Sequence, residues 1–336
     1  RDVLGSRGLG DVYKRQLYIL SISLAATLMG CIAEDRSACP HPRSVSVRLT
    51  VCPDPITAVT RTTDEEALRD LNLYLLDADG NVVLHRYQSS PTLRFECLPG
   101  NYLLRIAANM GRDLGENPAS EDFTVTHADE YDTLPMSYEG EVSIPSSDET
   151  VTLPTVEVQR VVAKITYNIS VAPDAGDIRL HSVQPVNLPA RVPVFDPGLR
   201  AAEYTAGEIV GSSSQTLTGT FYMLPNLQGE VPSIADQRDK GPANAPADAT
   251  FLRIRALRGS KVLDYYIYPG GNNTSNFDIR ANTHYRLDIM IRGDAEVDTR
   301  IRAYTVEVLC TPEAALSNGF LLERQPMRLT LRLGGA

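Results

Sequence analysis

Residues 71–87 have the sequence Leu-Asn-Leu-Tyr-Leu-Leu-Asp-Ala-Asp-Gly-Asn-Val-Val-Leu-His-Arg-Tyr, in which two apolar runs flank an Asp-Gly dipeptide. Asp-Gly between apolar runs is a strong signal of a β-hairpin, because these residues tolerate the backbone angles of a tight turn. The stretch therefore predicts two antiparallel strands, at 71–76 and 82–87, joined by a turn at 77–81.

Alternation of apolar and polar residues, the period of a half-buried strand, continues along most of the chain. It predicts strands at residues 45–51, 93–97, 102–106, 141–145, 151–153, 178–183, 217–224, 251–257, 262–268, 284–291, 301–308 and 327–333, and one long or broken strand over residues 156–171. The strands on either side of Pro99-Gly100 are predicted to form a second hairpin. Residues 225–249, rich in Pro, Ala, Gly and Asp, predict a long surface loop.

Many short strands with turn signals between them predict an all-β fold of sandwiches. Apolar alternation stops near Leu153, after the polar run Ser146-Ser-Asp-Glu-Thr150, and resumes at Val156. A boundary near Pro154 would give two β-sandwich domains in tandem, residues 44–154 and 155–336. A length of 336 residues agrees with two domains.

The composition is that of a globular protein, with 43% hydrophobic and 22% charged residues. The formal net charge is -10. This acidic balance argues against a nucleic-acid partner, which needs clustered Lys and Arg, and against a basic patch for lipid headgroups. Any attachment to a membrane must therefore use something other than a basic protein surface.

Catalytic and metal-binding motifs are absent from the sequence. The five histidines form no His-Glu-x-x-His motif, and no Gly-x-Ser-x-Gly elbow or phosphate-binding glycine loop occurs. The turn at 77–81 is superficially similar to a calcium loop but lacks its third acidic position and its bidentate glutamate. We therefore expect no enzymatic activity, metal, cofactor or small-molecule substrate.

A candidate export signal lies near the beginning of the chain. Lys14-Arg15 precedes an apolar run at 17–27, which is followed by Leu28-Met-Gly-Cys31. The run is too short to cross a ~30 Å hydrocarbon core comfortably, and its flanks are those of a cleaved signal. Leu28-Met-Gly-Cys31 resembles the lipobox of bacterial lipoproteins, so we predict lipidation of Cys31. The alternative is that the run is a buried helix or strand.

In this interpretation residues 1–30 are the export signal and residues 31–43 a polar tether. Residues 1–16 resemble translated read-through at a contig end and are excluded from fold reasoning. Glu34 and Asp35 closely follow the predicted lipid. They are either solvated tether residues or a surface-export tag, since acidic residues here resemble the signal that sends lipoproteins of Bacteroidales to the outer face.

Four further cysteines, Cys39, Cys52, Cys97 and Cys310, would remain in an oxidising compartment. They allow two disulfides with three connectivities, or free buried thiols, and their spacing does not decide between these possibilities. Their spacing is also not that of the cysteine ligands of a zinc site.

Several short segments, taken in order, carry a family resemblance. They are Cys31-Ile-Ala-Glu-Asp-Arg-Ser-Ala-Cys-Pro40, Val45-Ser-Val-Arg-Leu-Thr-Val51, Leu73-Tyr-Leu-Leu-Asp-Ala-Asp-Gly80, Arg160-Val-Val-Ala-Lys-Ile165, Tyr266-Ile-Tyr-Pro-Gly-Gly-Asn-Asn273, Phe277-Asp-Ile-Arg-Ala-Asn282, Tyr285-Arg-Leu-Asp-Ile289 and Asp298-Thr-Arg-Ile301. Together they resemble the FimB-like fimbrial anchor lipoproteins of Bacteroidales, in the fimbrillin superfamily. The resemblance spans residues 31–308 and does not reach the tail, 311–336. It implies two transthyretin-like sandwich domains without catalytic residues.

The resemblance also implies a position at the base of a fimbrium, bound to the outer membrane through lipid and to shaft subunits by β-strand addition, with a possible role in terminating assembly. Shaft subunits of the family are thought to lose their first strand to an Arg-specific protease, which opens a groove. A cut after Arg61, in Val59-Thr-Arg-Thr62, would separate the lipid from the body of this chain. An anchor must therefore keep its first strand.

The C-terminal strand is a candidate for donation to the first shaft subunit. Apolar residues on one face alternate with polar ones on the other: Met327, Leu329, Leu331 and Leu333 against Arg328, Thr330 and Arg332. Such a strand could fill pockets while its backbone pairs with a sheet edge. It could equally be the last strand of the second sandwich, and the pattern serves both.

Two other functions remain open at this stage. A shaft or tip fimbrillin would share the fold, and a tip would carry a glycan- or protein-binding surface for which the 225–249 loop is a candidate. A surface glycan-binding lipoprotein of a nutrient-uptake system would need an exposed aromatic platform, and the chain contains no Trp, the residue that builds the best one, although it has 15 Tyr and 7 Phe.

Overall fold

The structure is a computed structural model that describes residues 43–54, 63–198, 200–212, 214–293, 298–312 and 327–335. Its strands are β1 (Val45–Pro53), β2 (Leu71–Leu76), β3 (Val82–Gln88), β4 (Thr92–Cys97), β5 (Gly100–Ala108), β6 (Thr124–Thr126), β7 (Met136–Ile144), β8 (Val151–Thr152), β9 (Val156–Arg160), β10 (Ala163–Val171), β11 (Arg179–Pro189), β12 (Arg191–Pro193), β13 (Tyr204–Ala206), β14 (Val210–Gly211), β15 (Thr216–Met223), β16 (Phe251–Arg258), β17 (Lys261–Ile267), β18 (His284–Ile291), β19 (Ile301–Pro312) and β20 (Met327–Gly335).

Helical structure in the described ranges is limited to short 3₁₀ helices, at Thr63–Glu66, Ser120–Phe123 and Gln237–Asp239. None of the helices in this part of the chain has the length and apolar character needed to cross a membrane. The all-β sandwich fold predicted from the sequence is confirmed.

The N-terminal sandwich is built around β2, whose residues are all buried. β2 pairs with β3 and β5, and the strand order is β3-β2-β5-β7-β9-β1-β4, with β8 beside β1. Val47 and Leu49 of β1 share one apolar core with Leu73 of β2 and Ile106 of β5. Full burial of such a side chain stabilises the fold by about 1.5–3 kcal/mol, so this core holds the strand path together.

The hairpin predicted at residues 71–87 is confirmed, since β2 and β3 pair antiparallel. Asp77 organises the turn: its Oδ1 accepts hydrogen bonds from the N–H groups of Asp79 and Asn81 at 3.0 and 2.8 Å. Gly80 has φ +82°, which glycine adopts without a steric penalty. The turn is thus specified locally.

The second predicted hairpin is wrong. β4 pairs with β1, whereas β5 lies between β2 and β7. The corner at Pro99-Gly100 therefore connects different parts of the sandwich, and the hydroxyl of Tyr102 donates to the carbonyl O of Leu98 at 2.9 Å across it. Alternation correctly identified both of these strands, β4 and β5, but the partner of a strand is not encoded in its own alternation.

The alternation that restarts after Pro154 forms two strands, β9 and β10, separated by Val161-Val162. β9 pairs in parallel with β1 and antiparallel with β7. Val156 and Val158 accordingly lie in the N-terminal core. Residues beyond Pro154 thus complete the first sandwich, and the domain boundary at that position stays a prediction.

The C-terminal sandwich packs a three-stranded sheet, β15-β10-β18, against a larger sheet in the order β13-β11-β16-β17-β19-β20, with β14 beside β11. β10 pairs antiparallel with β15 and in parallel with β18. Tyr167 and Ile169 of β10 pack with Leu252 of β16 and Leu263 of β17. The facing sheets therefore differ in width, which leaves β18 at an edge.

Residues 225–249, predicted as a surface loop, are partly buried. Ile234 and Ala249 pack with Tyr268 and Phe277 in a small separate core, and Lys240 is only 3% exposed. The prediction is wrong for these residues because their partners lie beyond residue 260, where no local pattern points to them.

Candidate assembly sites

Several residues that the sequence connects with function, Cys31, Glu34, Asp35 and the cleavage position Arg61, lie outside the described residues. The two strands expected to take part in assembly, β1 and β20, are described.

β1 is an integral strand of the N-terminal sandwich. It pairs antiparallel with β4 and in parallel with β8 and β9. Its inward residues Val45, Val47, Leu49 and Val51 are at most 2% exposed. Removal of β1 would uncover these contacts and leave the neighbouring backbone groups without partners. The site vacated would be an apolar groove flanked by open strand edges.

A buried polar cluster joins the end of β1 to both sandwiches through Arg160, which is 2% exposed. The guanidinium donates from Nε to the carbonyl O of Glu65 at 3.0 Å and from Nη1 to the carbonyl O of Asp54 at 2.8 Å. The carboxylate of Asp54 accepts a 2.7 Å hydrogen bond from Nδ2 of Asn282. Since Asp54 follows β1 and Asn282 precedes β18, the cluster ties the first strand to the C-terminal sandwich.

Glu65 is the second centre of this cluster. Its Oε1 accepts hydrogen bonds from Nζ of Lys164 on β10 and from the hydroxyl of Tyr222 on β15, both at 2.6 Å. Desolvation, followed by the contact with Glu65, raises the pKa of the Tyr222 hydroxyl. Desolvation also lowers the pKa of the Arg160 guanidinium, although nearby carboxylates including Glu65 oppose it. The charged groups therefore depend on one another for their stability in this buried position.

Sequence analysis did not identify this cluster, although one signal was present. β9 alternates buried Val156, Val158 and Arg160 with exposed Glu157 and Gln159. Arginine is almost never fully buried without a partner, so an arginine at an inward position predicts a buried hydrogen-bonding network. Its partner Glu65 is 95 residues away in the sequence, so its identity could not be inferred.

β20 is the last strand of the larger C-terminal sheet. It pairs antiparallel with β19, with Met327 opposite Pro312 and Leu333 opposite Val306. Among the described strands none pairs with its other side. This is the position expected for the last strand of the second sandwich. A strand that pairs on one side only can also leave its sheet by breaking one set of backbone hydrogen bonds, so donation of Met327, Leu329, Leu331 and Leu333 stays a prediction.

Cys52 and Cys97 are free thiols that lie towards opposite ends of the β1–β4 pair, since Cys97 is opposite Val45. Burial raises the pKa of both thiols, which lowers their reactivity at neutral pH. Cys39 lies outside the described residues, and for Cys310 only its backbone position in β19 is described. The disulfide pattern that the sequence left open stays open.

Lys240 connects the 225–249 segment by hydrogen bonds to the turn that follows β17. Its Nζ donates to the carbonyl O atoms of Asn272 and Asn276, both at 2.7 Å. The same ammonium lies 4.9 Å from the centroid of the Phe277 ring. Desolvation lowers the pKa of Lys240 from 10.5 to about 8. The segment is thus held by a buried cation.

We expect the free energy of unfolding to rise as the pH increases from about 8 to about 10.5, because the unfolded lysine keeps a proton that the folded lysine has lost. The gain is at most about 3 kcal/mol. Lys240→Met should abolish this rise, while Lys261→Met, at an exposed position of β17, should retain it. Urea titrations at about pH 7.5 and about pH 10 measure both. An identical pH dependence in the Lys240→Met variant and the unmodified protein would contradict the assignment.

Comparison with solved structures identifies the fold. The tip fimbrial protein Mfa3 from Porphyromonas gingivalis, with a C-terminal truncation, gives a TM-score of 0.51 at 15% identity, covering 88% of this chain and 100% of that one. A fimbrilin, FimA, from the same organism gives 0.51 at 14% identity, covering 77% and 95%. A candidate cell adhesion protein from Bacteroides eggerthii gives 0.51 at 13% identity, covering 87% and 96%.

Comparison at the level of sequence is less informative. Residues 221–289, from the end of β15 to β18, match a domain of unknown function, DUF4906. No curated protein matches the chain. What the comparisons establish is that this chain has the fold of the Mfa3 and FimA fimbrial proteins.

Proposed function

We propose that this chain is a lipid-anchored fimbrial subunit that attaches a fimbrium to the outer membrane and terminates its assembly there. The observation that carries the proposal is the order of two features along the chain. A lipobox cysteine, Cys31, is followed after a short tether by a strand, β1, that is fully built into the first sandwich. The shared fold of fimbrial proteins supports it.

The lipid supplies attachment that the protein surface does not. A chain with a net charge of -10 gains no general attraction to anionic headgroups. A single acyl chain binds a membrane only marginally, whereas two or more hold a protein stably. Acylation of Cys31 would therefore place the N-terminal end of β1 close to the membrane surface. Glu34 and Asp35 follow the lipid as a candidate surface-export tag.

Retention of β1 explains termination. Strand addition requires an open sheet edge on one subunit and an extended strand on the next. β1 fills its own position in the N-terminal sandwich, so no donor strand can enter there. β20 pairs on one side only among the described strands, which supports its role as the donor. A subunit that donates but does not accept occupies one end of a polymer. The lipid identifies that end as the base.

A tip subunit is the second candidate, because Mfa3, which has the same fold, is described as a tip fimbrial protein. The two functions require opposite polarity. A basal subunit must donate a strand to the shaft, whereas a tip subunit must accept one.

Deletion of residues 325–336 separates these functions. For a basal donor we expect the truncated protein to fold and reach the membrane while fimbriae are shed into the medium, because β20 is the link to the shaft. Immunoblots of fimbriae in cell and medium fractions measure the effect. A full-length variant, Leu329→Asp with Leu331→Asp, should reproduce it, because charges on the apolar face block insertion into pockets.

The matched control is Arg328→Ser with Arg332→Ser, which alters only the polar face and should leave fimbriae bound to cells. Fimbriae that stay cell-bound on a folded, truncated protein would exclude donation and favour the tip function. Unfolding of the truncated protein would instead assign β20 to its own sandwich alone.

A further inference from the structure

The C-terminal sandwich contains a groove along the free side of β18. β10 pairs with one side of β18, and no other described strand pairs with the opposite side. A cavity of about 810 Å³ follows this side from Tyr285 to Gly293. Its other wall is formed by Ile267 at the end of β17 and Ile301 at the start of β19. The groove therefore follows the side of β18 that has no partner among the strands the structure describes.

The side chains in this groove are only half covered. Leu287 and Ile289 of β18 pack against the C-terminal core but remain partly exposed. The corresponding residues of the neighbouring strand β10, Tyr167 and Ile169, are 7% and 0% exposed. The difference arises because, in the part of the chain that the structure describes, β10 has a neighbouring strand on each side and β18 has one. A further strand would cover the apolar residues and pair with the open backbone edge.

The rim of the groove is more basic than the chain as a whole. Arg286 and Arg292 are exposed, and among the described residues neither makes an ion pair. Between them Asp288 accepts a hydrogen bond from Nδ2 of Asn168 at 3.3 Å, and Met290 is 54% exposed. On a protein with a net charge of -10, two exposed arginines that have no ion-pair partner within the described part of the chain, beside a strand edge, favour an acidic ligand.

We propose that this groove accepts an extended strand from a different protein, apolar at alternate positions and acidic between them. The apolar side chains enter beside Leu287 and Ile289, the backbone pairs with β18, and the acidic side chains meet Arg286 and Arg292. The groove is a lateral site, separate from β1 and β20. It depends neither on the lipid nor on the polarity of assembly, so it can exist on an anchor, a shaft subunit or a tip.

A strand fits the groove better than a glycan does. Sugars are bound largely by stacking on exposed aromatic rings. Of the tyrosines that line the groove, Tyr265 and Tyr268 are only 5% and 8% exposed, and Tyr285, at its end, is partly buried and donates its hydroxyl to the carbonyl O of Asp278 at 3.2 Å. An open edge instead presents a row of backbone donors and acceptors that only another strand satisfies in register.

The test uses the full-length protein and a fluorescent peptide, Val-Glu-Val-Glu-Val-Glu-Val, with binding followed by anisotropy. A control peptide in which lysine replaces every glutamate should bind at least about tenfold more weakly, because its positive charges are repelled by Arg286 and Arg292. The same acidic peptide, methylated on alternate backbone nitrogens, should not bind, because it has lost the N–H groups that would donate hydrogen bonds to β18. Bound acidic peptide should slow hydrogen exchange in His284–Ile291.

Arg286→Glu with Arg292→Glu should weaken binding of the acidic peptide at least roughly tenfold and strengthen that of the lysine control peptide. The matched control is Arg94→Glu with Arg179→Glu, at exposed positions on β4 and β11, which should leave both affinities unchanged. Equal binding by both variant proteins, or no protection of the β18 amides, would overturn the proposal. So would protection of those amides by a sialylated oligosaccharide but not by the peptide.

Discussion

Replacing Cys31 with alanine is expected to move nearly all of the protein from the membrane fraction to the soluble fraction. The reason is that the acyl chains proposed for Cys31 would supply the membrane attachment, and a chain with a net charge of -10 gains no general attraction to anionic headgroups. Each buried CH₂ of an acyl chain contributes about 0.8 kcal/mol, and two or more chains hold a protein stably at a membrane. Fractionation in high salt, together with incorporation of labelled fatty acid, measures the effect.

The matched control is Cys39→Ala, which removes another cysteine of the same tether. It should leave both membrane attachment and labelling unchanged. If the Cys31→Ala variant remained in the membrane at high salt and still incorporated fatty acid, the lipoprotein assignment would be wrong. If it remained bound without label, the protein would be attached by something other than lipid on Cys31, and the anchor proposal would lose the first of the two features on which it rests.

Features specified within a few residues could be predicted from the sequence. The β2–β3 hairpin is an example, since Asp77 and Gly80 set its turn through their own backbone and side-chain bonds. The same holds for β1, whose alternate burial follows its sequence pattern directly. Strand identity in this fold is therefore largely local information.

Features specified by distant partners could not be predicted. The corner at Pro99-Gly100 has the local signal of a hairpin. β4 nevertheless pairs with β1, and this pairing buries the apolar residues of both strands in the N-terminal core. Lys240 lies in a stretch without alternation, and its burial depends on carbonyl groups of Asn272 and Asn276. The groove beside β18 likewise follows from the unequal widths of two sheets, which no single segment of the sequence records.

The buried cluster around Arg160 belongs to this second class and matters for the proposed anchor. A fimbrium under tension would pull on the C-terminal strand while the lipid holds the N-terminal tether, so the load would cross the connection between the sandwiches. Asp54, directly after β1, bonds to both Arg160 and Asn282. This connection ties the first strand to the C-terminal sandwich independently of the chain that links them.

Arg160→Met is expected to destabilise the protein by about 2–6 kcal/mol, because it removes a buried donor that serves two backbone carbonyl groups. The variant leaves the carbonyl groups of Asp54 and Glu65 without this donor, and each unsatisfied buried group costs about 1–3 kcal/mol. Urea unfolding measures the change. Arg94→Met, at an exposed position of β4, should change stability by no more than about 0.5 kcal/mol.

A graded variant tests whether the cluster couples the sandwiches or only stabilises one of them. Asn282→Gly removes the amide that bonds to Asp54 but tolerates the φ of +52° at this position. It should cost less than Arg160→Met. In both variants hydrogen exchange should accelerate in β1 and β18 together, because the link between them is lost. Acceleration confined to β9, or unfolding at an unchanged urea concentration, would show that the first strand is held by its sheet contacts alone.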